Sequence, residues 1–391
     1  MKICVFTGTR ADYGLLKTAM DIIVRDPDLT LQILASGSHL SDRHGNTANI
    51  ITDDGFSMDA VVPIPLDDDS PTGIAAATGE AIKGCAAAFS ELKPDMLLVL
   101  GDRYEGLAVS VAASLMHVPM AHIHGGEKTE GAVDEFFRHS MTKMAHLHFT
   151  SCEAYRRRVI QLGEHPDRVF NVGAPGVENA KNIPLLSKKE LEKQLDFNLG
   201  DHCLLTTYHP ETLDSKGERS ARAVFDGFDL VLKQHSAVTM ILTGANADPG
   251  GAANDAMAAS MKNTWGDRVL VIPSLGLVRY LSAMQFCAAV VGNSSSGIIE
   301  APSFGLPTVN IGDRQKGRIR AESIIDAPNE TGAVTSAISK ALGSFSQVAK
   351  KAVNPYEQNG TSACIVKEIK RYPGGVTKSF YDISFAEDTE S

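Results

Sequence analysis

Residues 94–103 read PDMLLVLGDR. From Met96 to Leu100 the run is apolar without a break, the pattern of a strand buried on both faces of a parallel sheet. It ends at once in the charged pair Asp102-Arg103. Toward the N-terminus, KICVFT (residues 2–7) is a β-rich run that meets Gly8-Thr9-Arg10, and residues 15–23 carry helical apolar spacing. A second strand is predicted at 31–35, a loop with a short helix at 36–55, a third strand at 61–64 and an Ala-rich helix at 73–91. Toward the C-terminus the spacing predicts helix 105–116, strand 120–123, helix 133–145, strand 148–150, helix 154–162 and strand 169–172.

Residues 180–200, with Asn182-Ile183-Pro184 and a mixed-charge helix, read as a boundary. The alternation then restarts, with strands at 203–207, 239–243, 269–272, 288–291 and 308–311. Helices are predicted at 221–235, 278–284, 295–303, 331–342 and 363–372. Two such series without a repeat in their letters predict an α/β protein of two doubly wound domains facing a central cleft. The expected domains are residues 1–180 and 181–372, with 373–391 as a tail that is acidic and frayed beyond Tyr381. Ligands in such sheets lie outside the carboxyl ends of the strands.

At 391 residues the chain is too long for one ordinary core, and 43% apolar with 21% charged residues is the composition of a globular protein with a large interior. A formal net charge of -10 excludes a surface built to neutralise a nucleic-acid backbone, while local basic patches for a small anion stay open. The six cysteines form no CxxC pair and lie mostly in apolar runs, which predicts buried free thiols in a reducing compartment. MKICVFTGTR lacks the apolar segment of a signal peptide, and no apolar run reaches the ~18 residues of a membrane span. A cytoplasmic protein without a membrane partner is expected.

The chemistry concentrates in residues 100–143. They carry Asp102, Arg103, Glu105, His122, His124, Glu127, Asp134, Glu135, Arg138 and His139, a density of ionisable groups that packing does not favour. On one strand His122 and His124 are predicted to share an orientation. His122 is a ligand contact or a satisfied structural histidine. Asp134 and Glu135 are either partners of a helix dipole or members of an acid cluster suited to proton transfer and to stabilising an oxocarbenium ion. Residues 8–14 (GTRADYG) are a plain turn or an anion site in which Arg10 adds charge. Ser294, Ser295 and Ser296, between Gly292 and Gly297, form a phosphate site or an N-capping run, and Glu300 could accept from a ribose diol. Residues 312–320 (GDRQKGRIR), with Arg314 and Arg318, would neutralise a diphosphate leaving group or are a solvated charge run. His209 ends the first strand of the second series.

Together the motifs GTRADYG, LGDRYE, HIHGGEKT, DEFFRHSMTKMAHLHFTS, RRRVIQLGE, YHPET, GNSSSGIIEAPS and NIGDRQKGR resemble the hydrolysing UDP-N-acetylglucosamine 2-epimerases. The likeness is greatest to the bacterial branch that makes N-acetylmannosamine for sialic acid, and it spans residues 2 to 325. The resemblance implies two Rossmann-like domains of the GT-B type, a UDP-sugar substrate with UDP as product, no cofactor, no metal and a homodimer. It implies anti-elimination of UDP to 2-acetamidoglucal, followed by syn addition of water. By motif, Asp102, Glu127 and Asp134 match the acidic catalytic group, and His209 the histidine near the diphosphate. Arg10, Arg103, Asn246, Ser294, Ser295, Glu300 and Arg314 match nucleotide-binding positions. Some relatives carry Glu where this chain has His124, which leaves the proton-abstracting base open between His124, Glu127 and Asp134. Gly14 replaces a serine of some relatives. A UDP-linked 2,4-diacetamido-2,4,6-trideoxyhexose, as in legionaminic acid synthesis, is the rival substrate. A metal-dependent phosphohydrolase using Asp102, His122 and His124 as ligands and a non-catalytic nucleotide-sugar sensor are the alternatives from other classes.

Overall fold

The computed structural model describes residues 1–41, 46–68, 70–211, 217–244 and 251–384. It divides into two compact units: Met1–Glu127 with Asp134–Glu178 and Tyr356–Ser391, and Lys128–Val133 with Asn179–Pro355.

The first unit is built on an all-parallel sheet of β1 (Lys2–Thr7), β2 (Thr30–Ser36), β3 (Ala60–Val62), β4 (Met96–Leu100), β5 (Met120–Ile123), β6 (Leu147–Thr150) and β7 (Val169–Asn171). Their order is β3-β2-β1-β4-β5-β6-β7, so the winding reverses between β1 and β4. Successive side chains alternate between faces. Ile3, Val5, Met96 and Leu98 enter one core, and Cys4, Phe6, Leu97 and Val99 the other. This double burial is why β4 reads as an uninterrupted apolar run.

The second unit repeats the plan with β8 (His202–Thr207), β9 (Val238–Thr243), β10 (Val269–Ile272), β11 (Ala289–Gly292), β12 (Thr308–Ile311) and β13 (Ile324–Ala327). The order β10-β9-β8-β11-β12-β13 is again all parallel, with its reversal between β8 and β11. Leu204, Met240, Val291 and Val309 line one core; Cys203, Leu205, Ile241 and Val290 line the other.

Three expectations change. Helix Thr361–Lys370 belongs to the first unit and not to the second: Ile365, Val366 and Ile369 pack in the core with Ile3 and Val5. The Thr361 hydroxyl donates to the Val172 carbonyl at 2.7 Å, and the Ser362 amide to Glu178 at 3.0 Å. Conversely, residues 128–133 belong to the second unit, where the Glu130 amide donates to the Lys316 carbonyl (3.0 Å). The helix expected at 295–303 stops at Ile299 and resumes as a tighter turn, Ala301–Phe304, because Pro302 has no amide to continue the ladder. In the tail, the Tyr381 amide donates to the Gly163 carbonyl and Lys378 Nζ reaches Glu164 at 2.7 Å; residues 385–391 lie outside the described residues. Five of the cysteines are buried free thiols and Cys364 is exposed. Among the described residues no helix is long and apolar enough to cross a membrane.

Candidate active site

In the second unit the chain leaves β8 and β11 at the point where the sheet reverses, the ordinary ligand position of such folds. Asn293 ties the two exits together. Its Nδ2 donates to the His209 carbonyl (2.8 Å), and its Oδ1 accepts from the His209 amide (2.7 Å). The backbones pass so closely that a Cβ on Gly292, at φ +127°, would lie 1.9 Å from the Thr207 carbonyl. The Asn293 carbonyl accepts from Arg314 Nη1 (3.3 Å) and Gln315 Nε2 (2.9 Å), which brings the basic loop to the same place. His209, the serines and Arg314 therefore assemble around one buried asparagine.

Ser294 precedes helix Ser295–Ile299, but its side chain makes no capping bond, so the capping explanation of the serine run does not hold. Its Oγ is instead 3.0 Å from Ser296 Oγ, which in turn is 2.6 Å from the Tyr280 hydroxyl. Burial pushes the Tyr280 phenol up to about 12, so it stays protonated as a hydrogen-bond partner. The basic loop is solvated only in part: Lys316 and Arg320 are exposed, the latter pairing with Asp326 at 2.9 Å, while Gln315 and Arg318 are buried. Glu300 is buried one turn after Ser296.

In the first unit the centre is Arg138, fully buried in the helix Asp134–Met144. Its Nη2 donates to Asp102 Oδ2; its Nη1 donates to Glu135 Oε2 (2.7 Å) and to the Glu127 carbonyl (3.0 Å). One guanidinium thus gathers two carboxylates and the backbone of a third acidic residue. Asp102 keeps 23% of its side chain exposed, enough to face a ligand. Glu127 is buried, and its Oε1 accepts from the buried Ser151 hydroxyl (2.6 Å) and lies 3.7 Å from His124 Nδ1. Glu135 also meets His139 Nε2 at 3.1 Å, so it serves these side chains and not only a helix dipole.

His122 and His124 do not share an orientation. β5 ends at Ile123, and His124 takes φ +69°, a left-handed conformation that breaks the pleat. His122 is fully buried, with Nε2 2.8 Å from the Gly101 carbonyl and Nδ1 3.2 Å from Thr142 Oγ1. Burial holds its proton affinity down to about 4, so it is neutral near pH 7. With both nitrogens engaged it is no ligand, and the set Asp102, His122 and His124 is not assembled. Among the described residues no group of three such side chains is placed to hold a metal ion.

With this geometry in place, comparison with known proteins is direct. The family profile described as UDP-N-acetylglucosamine 2-epimerase matches residues 21–370. The chain belongs to that family. It is 42% identical over 327 residues to the GDP/UDP-N,N'-diacetylbacillosamine 2-epimerase (hydrolyzing) of Campylobacter jejuni, covering 83% of this chain and 84% of that one. It is 38% identical over 390 residues to polysialic acid biosynthesis protein P7 of Escherichia coli, covering 98% and 97%. In structure it resembles the UDP-GlcNAc 2-epimerase of Neisseria meningitidis bound to UDP-GlcNAc, with TM-score 0.79, 17% identity and coverage of 95% and 100%. That likeness is one of fold.

At residues 8–14 the structure shows a capped turn, the first of the two readings of that stretch. The Gly8 and Thr9 amides, offered to an anion, are taken by Asp12: Oδ2 accepts from Gly8 (2.8 Å) and Oδ1 from Thr9 (2.7 Å), in a capping box of helix Arg10–Arg25. Any anion contact there falls to Arg10, at the helix start. Arg103 is held by the buried Glu105 through Nε (3.2 Å) and Nη2 (3.4 Å). Asn246 lies outside the described residues. Arg138, Ser151 and Asn293 are the site residues to which the sequence reading assigned no role, while Glu135 was read as a dipole partner or an acid-cluster member. Arg138 and Glu135 signalled themselves through local charge density, whereas Ser151 and Asn293 carried no signal beyond their neighbours.

Proposed function

We propose that the protein is a hydrolysing UDP-N-acetylglucosamine 2-epimerase, converting UDP-GlcNAc and water to N-acetylmannosamine and UDP. The observation that carries this reading is the Asp102–Arg138–Glu135 cluster beside Glu127, which concentrates carboxylates suited to a sugar cation. In the first step the bond from C1 to the diphosphate oxygen breaks and UDP leaves with the electron pair. The C2 proton passes to a base, His124, Glu127 or Asp134, leaving 2-acetamidoglucal. In the second step water adds its hydroxyl to C1 and a proton returns to C2 on the opposite configuration. The C2 proton is not beside a carbonyl and is barely acidic, so departure of UDP runs ahead of proton removal. The acid group stabilises the positive charge that results. Within the second unit His209, Ser294, Ser295, Ser296, Arg314 and Arg318 are the candidates to hold the diphosphate, and Glu300 the ribose; within the first, Arg10 and Arg103 are candidate anion contacts.

Family membership and the likeness to protein P7 support an enzyme that supplies N-acetylmannosamine for sialic acid synthesis. A second reading, a UDP-linked 2,4-diacetamido-2,4,6-trideoxyhexose as substrate, is favoured by the 42% identical Campylobacter relative. Only C1 and C2 react in either case, so one acid cluster serves both. Incubation with each nucleotide sugar, scored by UDP release and by the C2 configuration of the free sugar, tests the proposal. Release of UDP with inverted C2 is expected. Return of a UDP-linked epimer would make the enzyme non-hydrolysing, and binding without UDP release would make the protein a sensor. A cytoplasmic homodimer completes the reading, and sedimentation of the purified protein as a monomer would remove that part.

A further inference from the structure

The exit of β4 sits in a ring of polar contacts, in which the Thr142 hydroxyl donates to one of two neighbours at a time. Gly101, at φ +87°, carries no side chain that could resist rotation of the peptide preceding Asp102. Its carbonyl instead meets His122 Nε2, on the neighbouring strand where Val99 pairs in register with His122. The other ring nitrogen faces the buried Thr142 hydroxyl, which also lies 2.9 Å from the Arg138 carbonyl one helical turn earlier. Arg138 then returns to Asp102 through its guanidinium. A neutral imidazole has one N–H, and the Gly101 carbonyl requires it on Nε2. Nδ1 is therefore an acceptor, and the Thr142 hydroxyl proton serves either Nδ1 or the Arg138 carbonyl. The backbone passes close by: a Cβ on Gly125 would lie 3.0 Å from Thr142 Oγ1 and 3.3 Å from His122 Nδ1.

We infer that His122 is a positioning residue that, with Thr142, fixes the backbone of Asp102 against the helix carrying Arg138, and so sets where the Asp102 carboxylate meets the sugar. The inference rests on the proposed role of Asp102. A misplacement of about 1 Å at a reacting group costs on the order of 100-fold in rate, so loosening the ring acts on turnover and not on nucleotide binding.

The test uses Thr142→Val, which keeps the shape and removes the hydroxyl, together with Thr142→Ser and His122→Gln. Thr142→Val should retain UDP affinity by calorimetry and a KM within about twofold, while kcat for UDP release falls on the order of 10-fold to 100-fold. Thr142→Ser should restore kcat. In an Asp102→Asn background, adding Thr142→Val should lower kcat no further, because both changes act through the same carboxylate. A Thr142→Val protein of lower melting temperature but unchanged kcat, or a full additional loss in the double variant, overturns the inference and leaves the proposed reaction standing. If the wild-type protein releases UDP from no donor, the proposed reaction fails and the inference falls with it. Should His122→Gln not fold, the Thr142 pair carries the test alone.

Discussion

Arg138 concentrates the electrostatics of the first unit. Removing it leaves the partly buried carboxylates of Asp102 and Glu135 facing one another without their cation. Arg138→Met should therefore destabilise the fold by about 3 kcal/mol, read from urea unfolding, and abolish UDP release. Asp102→Asn removes charge without removing shape. It should keep UDP binding and cut turnover by orders of magnitude; loss of binding and fold together would make Asp102 structural. Ser151→Ala deletes a hydroxyl bonded to a buried carboxylate and should cost about 1.5–3 kcal/mol by the same unfolding assay. Asp102 stood out in the sequence because an ionisable residue just past an apolar strand has few packing roles, whereas Glu127 was singled out by the family motif. Ser151 was not, since its partner lies 24 positions away, and only the folded chain brings a hydroxyl under Glu127.

Among the elements, the two sheet reversals do most to define the candidate site. Each leaves two strand ends side by side: Thr7 and Leu100 in one unit, Thr207 and Gly292 in the other. Gly292→Ala should prevent the close pass to Thr207 and remove UDP binding, which calorimetry would show. The Asp12 capping box predicts the opposite pattern: Asp12→Ala should lower stability by about 1 kcal/mol and leave UDP affinity within about twofold, because the amides it satisfies are internal partners. A large loss of affinity would instead return those amides to the ligand. Most strands were readable from continuous apolar runs. Helix Gly251–Trp265 was missed because its many small residues give little helical contrast, and β13 because only its two isoleucines break a polar context. Helix Thr361–Lys370 was predicted at about the right place, but its affiliation was not visible, since its apolar stripe does not specify which sheet it covers.

For the molecule as a whole, acid stability follows from buried groups. His122 binds a proton near pH 6.5 when unfolded and only near pH 4 when folded. The unfolded chain thus holds more protons between these values, and stability falls as pH drops from about 6.5 to about 4, by about 3 kcal/mol. His148, likewise lowered by burial, acts in the same direction. Burial alone would raise the Glu164 carboxyl, but His148, Lys143 and Lys378 outweigh it and hold the group at about 2. Its contribution is present above about 4.5 and is lost as pH falls through about 2. Urea unfolding across this range should show both losses, and His122→Gln should flatten the upper one. An unchanged slope in that variant would assign the upper loss elsewhere.

By itself the sequence determined the two parallel-sheet series, the placement of charged residues at strand exits and the family motifs, because strand burial and local turn chemistry are written in neighbouring letters. Tertiary structure alone decided that Arg138 joins Asp102 to Glu135, that Asn293 draws His209 and Arg314 together, that Asp12 and not a ligand fills the first turn, and that the last helix returns to the first sheet. The Asp12 capping box and the Arg138–Glu135 pair are local, but the other pairings span from 21 to 189 positions, and such a charge or amide finds its partner only when packing brings the two together.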